Sequence, residues 1–135
     1  MDKILEKLNE MDEKIVKEEY QILQILEELF EVEKMIKEKL KQKAEMKDLI
    51  TRKWTEEYEK AKKEGEKFTK DYMNARIKEE LAEATGKLED EIRKLEEEQK
   101  RKELEIRKHR IERDRALRMW DLLSHMLSSD IHSQN

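Results

Sequence analysis

Acid–base, metal or nucleophilic chemistry in this chain would have to start from His109, His125 and His132, or from the late serines Ser124, Ser128, Ser129 and Ser133, since there is no cysteine. Glu105, His109 and Glu112 are spaced four and three residues apart, so one helix face would present all three to a cation. Lys108 and Arg110 flank that histidine and repel a cation. A buried di-metal bundle needs Glu-x-x-His sets on facing helices, and the sequence has none. His109 is therefore expected as a surface histidine, with no metal site. Ser128-Ser129-Asp130 reads as a helix end, because short polar side chains compete for backbone hydrogen bonds. No Gly-rich phosphate loop is present. Almost every Glu lies off the apolar stripe, so buried carboxylate pairs are not expected either. The chain is expected to be non-enzymatic and to need no cofactor.

Two further constellations suit binding. Between Lys100 and Arg118 lie nine Lys/Arg and four Asp/Glu. Arg101, Arg107, Arg110 and Arg113 are the residues there that would grip phosphate or an acidic partner, because the guanidinium fork matches such anions. Glu103, Glu105, Glu112 and Asp114 interrupt the run, and no conventional nucleic-acid motif accompanies it. The second constellation is apolar and C-terminal: Met119, Trp120, Leu123, Met126, Leu127 and Ile131, with Leu122, fall on a helical face. Trp, Met and Arg are enriched in interface cores, so this face is a candidate partner-docking site. It can equally close against Leu5, Leu8 and Met11.

The elements that position these groups are long helices. Of 135 residues, 49% are charged and 36% hydrophobic, with no proline and two glycines. Glu, Lys and Arg are good helix formers. Such a chain cannot fill a wide core, but it can fill a narrow seam between helices. The seam is visible as alternating steps of four and three: Ile4, Leu8, Met11, Ile15, Glu18, Ile22, Ile25, Leu29, Val32, Ile36. Leu5, Leu23, Leu26, Phe30 and Leu40 widen it. Ile22, Leu26, Leu29 and Phe30 are the candidates for self-association, because the face there is broad enough for more than one neighbour. A second series runs Ile50, Trp54, Tyr58, Ala61, Gly65, Phe68, Tyr72, Ala75. A third runs from Leu81 through Thr85, Leu88, Ile92, Leu95, Gln99, Lys102, Ile106, His109, Arg113, Ala116, Trp120, Leu123 and Leu127. The aromatics of the second series are expected as seam packing.

Charge blocks choose the turn. Residues 1–33 hold four basic and eleven acidic side chains, 34–74 thirteen and nine, 75–99 five and nine, and 100–135 nine and six. A single fold at Gly65 sets residue n near 130 − n and pairs acidic blocks with basic ones. Single surface pairs contribute little, but summed they set orientation. The expected fold is all-α: an elongated antiparallel coiled-coil helical hairpin turning near Gly65, with residues 1–130 as one domain and 131–135 as a frayed tail. A three-helix bundle turning near Thr51 and Gly86, and a long dimeric coiled coil, are the alternatives.

This pattern points to a structural or adaptor protein of a larger assembly, with unidentified protein partners and a homodimeric tendency. The alternative is a nucleic-acid-associated helical protein using residues 100–118. The N-terminus lacks a signal-peptide pattern, no run approaches the roughly 20 apolar residues of a membrane span, and cysteine is absent. An intracellular, cytoplasmic location is therefore expected.

Overall fold

The computed structural model describes residues 2–133, with the side chain of residue 133 outside the description. Two helices account for nearly all of it: α1, Asp2–Lys63, and α2, Lys70–Ser133. They pack as an antiparallel helical hairpin, and no strand occurs among the described residues. Thr51 lies inside α1 and Gly86 inside α2, so neither is a turn and the three-helix alternative fails. The uninterrupted long coil fails at Gly65. Helix α2 continues through Ile131 to Ser133, past the point where fraying was expected to begin; Gln134 and Asn135 lie outside the described residues.

Local chemistry explains why the break falls at Gly65. Lys60, Lys62 and Lys63 occupy the last turn of α1, where the helix dipole favours cations. Gly65 takes φ +75°, which costs an L-residue Cβ strain but costs glycine nothing. The Glu66 N–H donates to the Ala61 carbonyl at 2.9 Å and the Gly65 N–H to the Lys62 carbonyl at 3.3 Å. Those two bonds are the Schellman pattern that satisfies a helix's last carbonyls. Four residues later Thr69 starts α2: its Oγ1 accepts the Tyr72 N–H at 3.1 Å, an N-cap bond, with Asp71 in the first turn.

Contacts divide the chain into two compact units, Val32–Glu98 and Met1–Glu31 with Gln99–Asn135. In the turn-bearing unit, Val32, Ile36, Ala61, Thr85, Leu88 and Ile92 are buried. The Thr85 hydroxyl donates to the Leu81 carbonyl at 2.6 Å, which is how a polar side chain is tolerated there. Lys39–Glu91 (2.8 Å), Lys43–Glu89 (3.1 Å) and Lys53–Glu80 (2.8 Å) tie α1 to α2 in descending order. Near the turn, Phe68 stacks on Trp54 at 6.4 Å, tilts against Tyr58 at 5.9 Å and meets Tyr72 edge-on at 5.1 Å. These aromatics hold the turn. The expected continuation of their series is wrong at its end: Tyr72 is 52% exposed and Ala75 is exposed. The reason is that the chain leaves helical geometry between α1 and α2, so helical phase is lost and Met73 and Ile77 turn inward instead.

In the terminal unit, Ile22, Ile25, Leu29 and Ile106 form one buried cluster. Leu8, Ala116 and Leu123 are also buried. Each buried Leu or Ile side chain contributes roughly 1.5–3 kcal/mol by leaving water. The cross-helix pairs Lys14–Glu112 (3.3 Å), Glu18–His109 (2.5 Å) and Glu28–Lys102 (2.8 Å) again descend along α2 as they ascend along α1. In both units every such pair lies within about one helical turn of the expected 130 − n relation.

Candidate functional site

The seam itself carries one polar constellation. His109 sits on the inward series of α2, and its Nδ1 lies 2.5 Å from the Glu18 carboxylate, the only polar side chain in the first series of α1. The two side chains are 31% and 14% exposed. His109 is therefore half-buried and faces α1, which corrects the expectation of a surface histidine. Its neighbours Lys108 and Arg110 lie about 100° away around the helix and do not define its surroundings. Glu112 is held by Lys14 at 3.3 Å and Arg115 at 3.0 Å rather than sharing a ligand set with His109. Among the described residues no group of three His, Cys, Asp or Glu side chains could hold a metal ion. His125, Ser128 and Ser129 are exposed, and Ser124 is half-buried.

The C-terminal apolar face divides in two. Leu123 is buried and Trp120 and Leu127 are half-buried, on the inward side of α2. Met119, Leu122, Met126 and Ile131 are 45–55% exposed. One half of the face thus closes the seam and the other half meets solvent.

The four self-association candidates divide likewise: Ile22 and Leu29 are buried, whereas Leu26 and Phe30 are exposed. Leu26 and Phe30 belong to an outward column that also includes Val16, Tyr20 and Leu23. Val16 and Tyr20 were missed from the sequence because the inward series dominates there. Their signal is the spacing of Val16, Tyr20 and Leu23 by four and three, each one or two residues after Ile15, Glu18 and Ile22.

Among the basic residues, Arg107 and Arg110 line a hollow of about 410 Å³ together with Leu26, Leu29, Glu103 and Ile106. Arg113 shares a second hollow with Glu19, Ile22 and Leu23, and its guanidinium bonds Asp114 at 3.3 Å. Arg101 is exposed and lines neither hollow. Two sets of residues singled out separately in the sequence, Leu26 with Leu29 and Arg107 with Arg110, are thus brought onto one surface of the terminal unit.

Near the turn, Glu80 accepts from Trp54 Nε1 and from Lys53 at 2.8 Å. The Lys53 bond, then the Trp54 bond, hold its carboxyl below the usual carboxylate range. The Lys39 bond does the same for Glu91. Lys53 and Arg76 lie 5.4 and 5.3 Å from the Trp54 ring centre. The ring is thus occupied by cations and by Phe68, which supports its reading as packing and leaves little open face for a base.

Comparison with known proteins finds no matching family model, no matching curated protein and no matching solved structure. Among the described residues no helix is long and apolar enough to cross a membrane.

Proposed function

We propose that this hairpin is a non-enzymatic structural or adaptor component that mediates protein–protein assembly. The observation that supports it is the row of large apolar side chains left in solvent after the seam is closed, on both helices of the terminal unit. Scattered exposed apolar residues are ordinary, but contiguous columns at helical spacing mark interaction surfaces. A coiled-coil architecture suits such a role because its surface can be varied without disturbing the seam.

The exposed half of the C-terminal face, Met119, Leu122, Met126 and Ile131, is the candidate docking site. Side chains of this kind fit an amphipathic partner helix presenting anchors at the same spacing, and methionine adapts to irregular surfaces. Trp120, Leu123 and Leu127 support it from the seam side. Affinity capture followed by titration of the identified, purified partner tests the reading. Met119→Ser/Met126→Ser should abolish binding while leaving helical content unchanged. Unaltered partner affinity in that variant would refute the docking assignment.

The nucleic-acid alternative finds less support. Glu112 and Asp114 bond Arg115 and Arg113 within the basic segment, and Lys102 is committed to Glu28.

A further inference from the structure

The outward column of α1 has a second feature that the assembly reading does not use. Val16, Tyr20, Leu23, Leu26 and Phe30 are 67, 59, 62, 38 and 64% exposed. Carboxylates run along the same column. Asp12 and Glu13, with one cation, Lys17, share a hollow with Val16 and Tyr20, and Glu27 and Glu31 share one with Leu23, Leu26 and Phe30. Beside it on α2 stand Arg107 and Arg110, over the hollow lined by Leu26, Leu29 and Ile106, where the two cations outnumber the single carboxylate, Glu103. Among the described residues neither arginine has an ion-pair partner, whereas Arg113 and Arg115 each hold a carboxylate. An occupant of this surface must therefore be apolar on one face and acidic beside it.

Helix α1 answers that description itself: it offers the apolar column and, within residues 1–33, eleven acidic against four basic side chains. We propose that the occupant is a second copy of this chain, docked through the Val16–Phe30 column with its acidic α1 over Arg107 and Arg110. A closed homodimer has a two-fold axis, and charge selects which one. An axis perpendicular to the helices stacks α1 on α1 and α2 on α2. Arg107 and Arg110 then face their own copies, and about a centre at Leu23 Glu19 faces Glu27. An axis along the helices lays each α1 antiparallel over the other copy's α2. Glu19 and Glu27 of the second copy then approach the arginines, and the two Leu23–Phe30 columns close across the axis. The second arrangement removes the Arg–Arg and Glu19–Glu27 juxtapositions of the first and repeats each favourable contact twice, while setting Glu27 level with Glu103 and Lys17 level with Arg113. It uses none of the residues of the C-terminal docking face, Met119, Leu122, Met126 and Ile131.

Light scattering or sedimentation equilibrium of the full chain across a concentration and salt series tests it. Wild type should show two chain masses, with dissociation favoured as salt rises. Leu23→Ser/Phe30→Ser replaces exposed residues, so helicity by circular dichroism should persist while the dimer is lost. Arg107→Glu/Arg110→Glu should weaken the dimer by roughly 10–100-fold, as for buried interface charge pairs. Adding Glu19→Lys/Glu27→Lys to that variant should recover it. A wild-type monomer at every concentration, a dimer indifferent to Leu23→Ser/Phe30→Ser, or no recovery in the charge-swapped chain overturns the proposal. A monomer that binds anionic lipid vesicles or a nucleic-acid duplex through the same residues also overturns it. A monomer that still loses its captured partner on Met119→Ser/Met126→Ser would sink this inference and spare the docking assignment.

Discussion

The chain's two glycines should respond with opposite signs to one substitution. Gly65 holds φ +75°, and a methyl group built there meets nothing within 4 Å. Gly65→Ala therefore incurs no clash, only the backbone strain of an L-residue in the left-handed region, about 1–2 kcal/mol. Gly86 lies in the interior of α2, and its added methyl also meets nothing within 4 Å. Gly86→Ala should thus stabilise by about 1 kcal/mol, the difference in helix propensity. Both positions belong to the turn-bearing unit, so the two effects can be read against one transition. The expected gap between the variants is about 2–3 kcal/mol, or on the order of 10 °C in Tm for a chain of this length. Trp54 reports on that unit and Trp120 on the other, so a Trp120→Phe background isolates the relevant signal in urea unfolding. Protein concentration should be held constant, because association would shift the midpoint. Gly65→Asn should cost less than Gly65→Ala, since Asn visits the left-handed region more readily. A neutral or stabilising Gly65→Ala, or a destabilising Gly86→Ala, would refute the assignment of one glycine to the turn and the other to helix.

Ile106→Ala should cost about 2–5 kcal/mol, because Ile106 is 5% exposed and completes the Ile22, Ile25 and Leu29 cluster; a loss below about 1 kcal/mol in urea unfolding would show that the cluster is not a core. Glu18→Leu/His109→Leu should be neutral or raise the unfolding midpoint, since replacing both members of a half-buried polar pair removes their desolvation cost; a marked drop would mean that the pair itself stabilises the fold. Glu80 and Glu91 have depressed native pKa values, so their contribution is present above the unfolded carboxylate value and is lost as pH falls through the native one. Acidification below about pH 5 should lower the thermal midpoint, with a shallower slope in Glu80→Gln/Glu91→Gln. Duplex and single-stranded probes should not be retained at low salt; salt-sensitive retention that weakens on Arg107→Glu/Arg110→Glu would favour the nucleic-acid alternative.

Most of the fold was legible because a two-helix seam is a one-dimensional pattern. The steps of four and three from Ile4 to Ile36 and from Leu81 to Leu127 name the inward residues almost one for one. The charge blocks, though each pair is weak, separated a turn at Gly65 from turns at Thr51 and Gly86. Legibility failed where the pattern is interrupted. Past Gly65 the non-helical residues before Thr69 reset the helical phase, so Tyr72 and Ala75 could not be placed by extending the count. Thr69 as N-cap was also unread, although Thr followed by Asp71 in the first turn is its ordinary signal. The candidate surfaces were half legible: an apolar residue near the seam's edge, such as Leu26 against Leu29, cannot be assigned inward or outward until the partner helix is in place.

The misplacement of His109 shows what the interruptions of a seam are for. Glu18 is the polar exception in the first series and His109 one of several polar positions in the third, and read singly each looks like a defect. With the hairpin formed they are the two halves of one contact at 2.5 Å, 91 residues apart in sequence. A slip of one heptad in either direction would move His109 from Glu18 to the level of Met11 or Ile25. It would then lie half-buried against an apolar side chain with its polar atoms unpaired, at about 1–3 kcal/mol. The neighbouring aliphatic residues would tolerate the same slip, because one seam isoleucine or leucine replaces another. The apolar series therefore supplies the attraction between α1 and α2, and Glu18 with His109 supplies the register within the terminal unit. On this argument Glu18→Leu/His109→Leu should keep or gain stability while broadening the distribution of α1–α2 distances. Spin labels at cysteines introduced at Lys14 and Glu112 can measure that distribution without removing native thiols, since the chain has none. A single sharp distance equal to that of the labelled wild type would refute the register role and leave the pair as a tolerated polar contact.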